Sequence, residues 1–301
     1  MSRPPILTLP DCARAYRLET ARGAFAVHES VPPAGSPRRG TALLVPGFTG
    51  SKEDFIALLQ PLARAGYRAV AVDGRGQHET PGPCDEAAYA QSELARDVHA
   101  QVAALADGPV HLLGHSLGGL VSRAAVLLDA APFRSFTVMS SGPAAISESE
   151  HARLALLIDA LSGIPAGDGR AAGMEAVWQA MQAIDPPADL AEEHDAQSAE
   201  ETRSVTEFLH RRWLGNVPEQ LIATGRQLVS EPDRVAELAG TGVPVHVISG
   251  ERDYAWPVPL LDAMAARLGA RRTRIKRAEH SPNAEQPEAT ARALLEFWNT
   301  V

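Results

Sequence analysis

Apolar residues in this chain fall into short dense runs bounded by glycine, proline and polar turns. These alternate with longer stretches whose apolar positions recur every three or four residues. The first pattern predicts buried strands and the second predicts helices packed by one face. Ala13–Thr20 and Ala24–Ser30 flank Arg22-Gly23 and predict an opening hairpin. Beyond the loop Pro32–Gly40, strands are predicted around Leu43, over Tyr67–Val72, Pro109–Leu113 and Phe136–Ser140. Helices are predicted between them, over Lys52–Ala65, Ala90–Ala106 and Leu120–Ala131, with Ser51 or Thr49 as the first cap. Such alternation predicts a parallel sheet with helices on both faces.

The alternation stops at Ser141-Gly142-Pro143 and resumes near Val243. The intervening segments Ile146–Ile158, Met174–Ile184, Ala199–Trp213, Val217–Leu228 and Pro232–Leu238 all carry helical spacing. Glu192-Glu193-His194-Asp195 has metal-capable atoms but reads as a solvated loop or helix start. Strands then return over Val243–Ser249 and Arg272–Lys276, and a helix over Pro287–Phe297 closes the chain. The organisation predicted is a core of residues 1–142 and 243–301 with a helical insertion, 143–242, between its sixth and seventh strands.

Chemistry enters with Gly114-His115-Ser116-Leu117-Gly118-Gly119, placed between a predicted strand and a predicted helix. A serine between glycines at such a corner forms a nucleophile elbow, because a tight turn there excludes side chains at the flanking positions. Thr41–Ser51 is a second strand running into a glycine turn, Pro46-Gly47-Phe48. Acyl transfer through a tetrahedral intermediate needs backbone N–H donors for its oxyanion, and the Leu117 and Phe48 amides are the candidates. Asp253 lies just past the strand Pro244–Ile248, where an acid can orient a histidine, with Glu251 as its local rival. His280 follows the last predicted strand and is the candidate base, completing the order Ser116, Asp253, His280.

Taken together, these segments resemble the α/β-hydrolase superfamily over nearly the whole chain, in its serine-nucleophile, esterase- and lipase-like branch. Val72-Asp73-Gly74-Arg75-Gly76 matches a further family motif, from which the chain departs at Gln77-His78-Glu79. The resemblance implies a mostly parallel eight-stranded sheet, an α-helical cap formed by the insertion, and hydrolysis of an ester or related acyl bond without a cofactor. A serine at the elbow argues against the dehalogenase and epoxide hydrolase branches, which place aspartate there. Thioesterase, lactonase and C–C bond hydrolase activities share the same array, and some relatives are small-molecule receptors. Gly47, His115, Trp213 and Tyr254 are the candidate substrate-contacting residues. Phe208, Met174, Trp178 and Met181 are read chiefly as cap core, and Trp256 as flanking the acid loop.

Composition narrows the field. The 301 residues are 45% hydrophobic, enough for a sizeable core. The net charge of −9 argues against nucleic acid and anionic membrane surfaces as partners, leaving a small-molecule substrate. Only Cys12 and Cys84 are present, and free thiols are expected. No zinc-like spacing or membrane-spanning run is seen, and Met1–Pro10 lacks the apolar centre of a signal peptide. The expectation is a soluble cytoplasmic protein with no metal.

Overall fold

The computed structural model describes residues 1–165, 167–184 and 196–301. The Glu192–Asp195 cluster therefore lies outside the described residues. Eight strands form one sheet: β1 (Ala13–Thr20), β2 (Gly23–Ser30), β3 (Gly40–Val45), β4 (Tyr67–Val72), β5 (Val110–His115), β6 (Phe133–Met139), β7 (Val245–Gly250) and β8 (Arg271–Ile275). Their order is β1-β2-β4-β3-β5-β6-β7-β8. β1 pairs antiparallel with β2, and β2 with β4, while every other pair is parallel.

Helices α1 (Ile56–Arg64), α2 (Gln91–Leu105) and α3 (Leu117–Leu128) follow β3, β4 and β5. Among the described residues, five α-helices lie between β6 and β7: α4 (Glu148–Ser162), α5 (Arg170–Ile184), α6 (Ala196–Gly215), α7 (Pro218–Ser230) and α8 (Val235–Gly240). The core resumes with α9 (Val258–Leu268), α10 (Pro282–Glu285) and α11 (Pro287–Trp298). Lys52–Phe55 forms a separate 3₁₀ turn ahead of α1, so the expected helix from Lys52 starts later. Ser51, not Thr49, caps that turn, and its N–H donates to the Asp54 carboxylate at 3.3 Å.

The dense strands are buried on both faces, and successive side chains enter different cores. Leu43 and Val45 join the cluster that includes α2, α3 and α9, whereas Ala42 and Leu44 join that of α1 and α11. Val247 and Ile248 divide in the same way. Continuous apolar runs follow directly from this two-sided burial, since no position along such a strand faces water. The edge strand β8 instead carries Arg271, Arg272 and Arg274, charges that discourage further strand pairing.

The inserted helices are anchored by buried charge. Arg123 on α3 donates to the Gly142 and Pro143 carbonyls at 3.1 and 2.8 Å and pairs with Glu231 at 2.8 Å. Residues at both ends of the α4–α7 segment are thereby tied to the helix behind the elbow. Arg212 on α6 is fully buried against Asp54 at 2.7 Å, with Phe208 stacked beside it. α8 packs on α3 and α9, so the end of the insertion rests on the core. Cys12 and Cys84 are free thiols. No helix among the described residues is long and apolar enough to cross a membrane.

Candidate active site

Ser116 sits between β5 and α3 with φ 54° and ψ −123°, a strained setting for a side-chain-bearing residue. Its N–H donates to the Met139 carbonyl at 2.9 Å, and its carbonyl accepts from Gly119 N–H at 2.8 Å. The flanking glycines leave the strand and helix backbones almost in contact. A Cβ at Gly114 would overlap the Gly118 carbonyl, and one at Gly118 would overlap the Val45 and Pro46 carbonyls. The glycine spacing is therefore a packing requirement of the turn.

His280 lies in the loop between β8 and α10 with its Nε2 3.0 Å from Ser116 Oγ. Its Nδ1 lies 3.0 Å from Asp253 Oδ1, in the loop after β7. That carboxylate oxygen also accepts the Ala255 and Trp256 N–H groups at 3.0 Å each, which hold it in place. All three side chains are largely buried. Glu251 faces elsewhere: it is exposed, and its carboxylate accepts Arg277 N–H at 2.9 Å in a turn where Arg277 has φ 58°. Ser116, His280 and Asp253 thus form one chain of contacts that excludes Glu251.

Gly47 closes against the serine from the β3 side. A Cβ there would lie 3.1 Å from Ser116 Cβ, so Gly47 borders the site. The Phe48 and Leu117 amides donate to no other group among the described residues. An unpaired N–H at the first turn of α3 is intrinsic to a helix start and favours a nearby anion. Around the base, the Tyr254 ring lies tilted against His280 with centroids 4.8 Å apart and is half exposed. Trp256 lies 6.3 Å away on another side and is fully buried.

A model of the alpha/beta hydrolase family matches residues 42–293. The chain belongs to that family. Membership of the alpha/beta hydrolases supports a hydrolytic function. One curated relative is the putative carbamate hydrolase RutD of Variovorax paradoxus, 37% identical over 125 residues. That match covers 40% of this chain and 47% of the relative, so it spans about half the relative's length. A hydrolase structure from Pseudomonas aeruginosa aligns with a TM-score of 0.71 at 23% identity, covering 94% of this chain and 98% of that one. The enol-lactonase of Burkholderia xenovorans aligns with a TM-score of 0.72 at 18% identity, covering 94% and 100%.

Within this alpha/beta hydrolase, two expected substrate contacts are placed differently. Trp213 has no exposed surface and its indole N–H donates to the Met174 carbonyl at 2.8 Å. It packs near Trp178, inside the inserted helices, and offers nothing to a cleft. Met174, Trp178 and Phe208 are buried in the same interior. His115 is also buried, and its Nε2 donates to the His280 carbonyl at 2.8 Å rather than facing a ligand space. Burial, followed by the nearness of His280, pushes its pKa down to about 3, so it stays neutral.

Two groups near the site escaped the sequence reading. The Gln77 side chain contacts the Gly47–Phe48 loop, and Arg123 ties down the insertion. Gln77 had one signal, the departure from the family motif at that position. Arg123 had none, because a single arginine in an apolar helix carries no periodic pattern. No cluster of three metal-capable side chains occurs among the described residues.

Proposed function

We propose that this protein is a serine hydrolase that cleaves a carboxylic ester or related acyl bond of a small, mainly apolar substrate. The observation that carries this reading is the continuous contact from Ser116 Oγ through His280 to Asp253 Oδ1, each link 3.0 Å long. Ser116 attacks the carbonyl carbon while His280 Nε2 takes the hydroxyl proton. Asp253 holds the imidazole by Nδ1 and stabilises the imidazolium. The Phe48 and Leu117 amides receive the oxyanion. Collapse expels the leaving group, protonated by His280, and leaves an acyl-enzyme. Water, deprotonated by the same imidazole, then releases the acid.

Residues 143–242 serve in this reading as a cap over the site, which shapes the substrate and excludes water. The chemistry needs no metal or organic cofactor. A carbamate is a second substrate class within reach of the same array, favoured by the 37% identity to RutD over 125 residues. Lactone, thioester and C–C substrates would use the same serine.

The test is labelling with a fluorophosphonate followed by peptide mapping, with turnover of a panel of p-nitrophenyl esters and aryl carbamates. The adduct should map to Ser116, and Ser116→Ala should abolish both labelling and turnover. Full turnover by that variant would overturn the reading.

A further inference from the structure

Gln77 makes three contacts that share one consequence. Its Oε1 accepts Gly74 N–H at 3.0 Å, while its Nε2 donates to the Gly47 carbonyl at 2.8 Å and the Phe48 carbonyl at 3.2 Å. The amide can adopt only this orientation, since one end meets an N–H and the other meets two carbonyls. The contacts are buried, and a Cβ at Gly74 would lie 2.5 Å from Gln77 Oε1, so glycine there leaves room for the amide. The loop that carries Gln77 is itself fixed by Gln77 N–H to the Gly74 carbonyl at 3.0 Å and Thr80 N–H to the Gln77 carbonyl at 2.8 Å.

The Gly47 carbonyl and the Phe48 N–H belong to one peptide plane. No cis peptide bond occurs among the described residues, this one included, so these two groups point in opposite directions. A donor that holds the carbonyl on one side therefore fixes the direction of the N–H on the other. We propose that Gln77 is a positioning residue for the oxyanion site, holding the Gly47–Phe48 peptide so that Phe48 N–H faces the space beside Ser116 Oγ. The inference rests on the serine-hydrolase reading above. Gly50 N–H also reaches the Gly47 carbonyl, at 3.1 Å, so Gln77 is one of two holds on it. The Gln77 hold is the one that also grips Phe48.

The same loop touches the inserted helices. Val217 N–H, at the start of α7, donates to the Gly76 carbonyl at 2.9 Å. Gln77 therefore joins the Gly47–Phe48 loop to a loop that also holds the start of α7.

The test compares wild type, Gln77→Met and Gln77→Glu, using a p-nitrophenyl ester and crystal structures of wild type and Gln77→Met. Loss of an oxyanion donor costs roughly 100- to 1,000-fold in kcat. With Gly50 still holding Gly47, Gln77→Met should lose about 10- to 100-fold in kcat, with KM within about twofold, and its Gly47–Phe48 peptide should rotate. Gln77→Glu should be as slow as Gln77→Met near neutrality, because a carboxylate faces two carbonyls. On acidification its kcat relative to Gln77→Met should rise, as the protonated carboxyl regains a donor. Unchanged kcat with an unmoved peptide overturns the proposal. So does a fall in kcat matched by lost thermal stability with the peptide in place, which would mark a merely structural contact. Failure of wild type to take a fluorophosphonate would defeat the serine-hydrolase reading instead, and the peptide orientation in Gln77→Met would still decide the role of Gln77.

Discussion

His115 and His280 are joined by a hydrogen bond from His115 Nε2 to the His280 carbonyl, 2.8 Å long. A carbonyl only accepts, so the proton is on Nε2 and the buried Nδ1 is bare, with no partner among the described residues. The residue before the proposed nucleophile thereby holds the backbone of the proposed base. β5 and the loop after β8, 165 positions apart, are pinned within one contact of the chemistry.

Removing that hold should slow catalysis while leaving the reactive groups in place. His115→Leu is expected to lose roughly 10- to 100-fold in kcat, since displacements near 1 Å in an active site cost about that much. His115→Gln retains a donor and should recover part of the loss. Fluorophosphonate should still map to Ser116 in both. Wild-type kcat in His115→Leu would mean the loop holds itself.

The identity of the acid is tested by a pair of substitutions. Asp253→Asn keeps the shape but turns a donor toward His280 Nδ1 or leaves the wrong tautomer, and a loss of about 10⁴-fold in kcat is expected. Glu251→Gln should stay near wild type, because Glu251 serves the Arg277 turn and not the imidazole. Steady-state kinetics on both variants decides this, and the reverse ranking would reassign the acid.

The central strands were legible because two-sided burial favours dense apolar runs, as at Leu43, Leu44 and Val45. The elbow was legible because Gly114 and Gly118 meet backbone from other elements, a constraint that admits one residue type. Trp213 was not. A large apolar residue at helical spacing looks the same whether it fills the interior of a helical insertion or borders a cleft, and only its contact with Met174 separates the two. His115 was misplaced for a related reason: it is next to Ser116 in sequence, but its side chain is buried and spent on the His280 carbonyl. Gln77 acts across 30 positions through a side-chain amide, and no local pattern encodes such a reach.

Arg123 and Glu231 supply a stability prediction. Both are buried at 2.8 Å, and Gln91 Nε2 also donates to Glu231 at 2.7 Å. Breaking one side of such a pair leaves the other charge without compensation, typically costing about 3–5 kcal/mol. Glu231→Ala should lower the urea midpoint by a corresponding amount. Arg123→Met with Glu231→Leu should recover much of it by removing both charges. No change in Glu231→Ala would show that water replaces the pair.

Acid should destabilise the fold through His246, which is fully buried in β7 beside Phe297. Burial, then the Arg271 and Arg272 charges, push its pKa from an ordinary 6.5 down to about 3. Between those values the unfolded chain binds a proton that the folded chain refuses, so stability falls as pH drops below the unfolded value. From about pH 7.5 to about pH 5 this one group should cost roughly 2 kcal/mol. His246→Leu removes the term, whatever its effect at neutral pH. Urea titrations at both pH values should show wild type losing more stability than the variant, and equal losses would refute the assignment.

Substrate choice should respond where the insertion meets the oxyanion loop. A Cβ at Gly225 on α7 would lie 3.1 Å from Ile158 Cδ1 on α4 and 3.4 Å from Phe48 Cζ. Phe48 thus carries the proposed oxyanion amide on its backbone and places its ring near two of the inserted helices. Trimming or filling this junction should alter the room beside the ring without touching Ser116, His280 or Asp253. Ile158→Ala should favour longer acyl chains, and Gly225→Ala, which crowds the same contact, should favour shorter ones. Pocket changes of a methylene or two shift discrimination by about 1–3 kcal/mol, so opposite shifts of roughly tenfold or more in relative kcat/KM are expected. Fluorophosphonate labelling of Ser116 should persist in both variants. If the two variants rank a chain-length series of p-nitrophenyl esters as wild type does, this junction lies outside the acyl site. If labelling is lost in a folded variant, the junction instead governs the oxyanion loop itself.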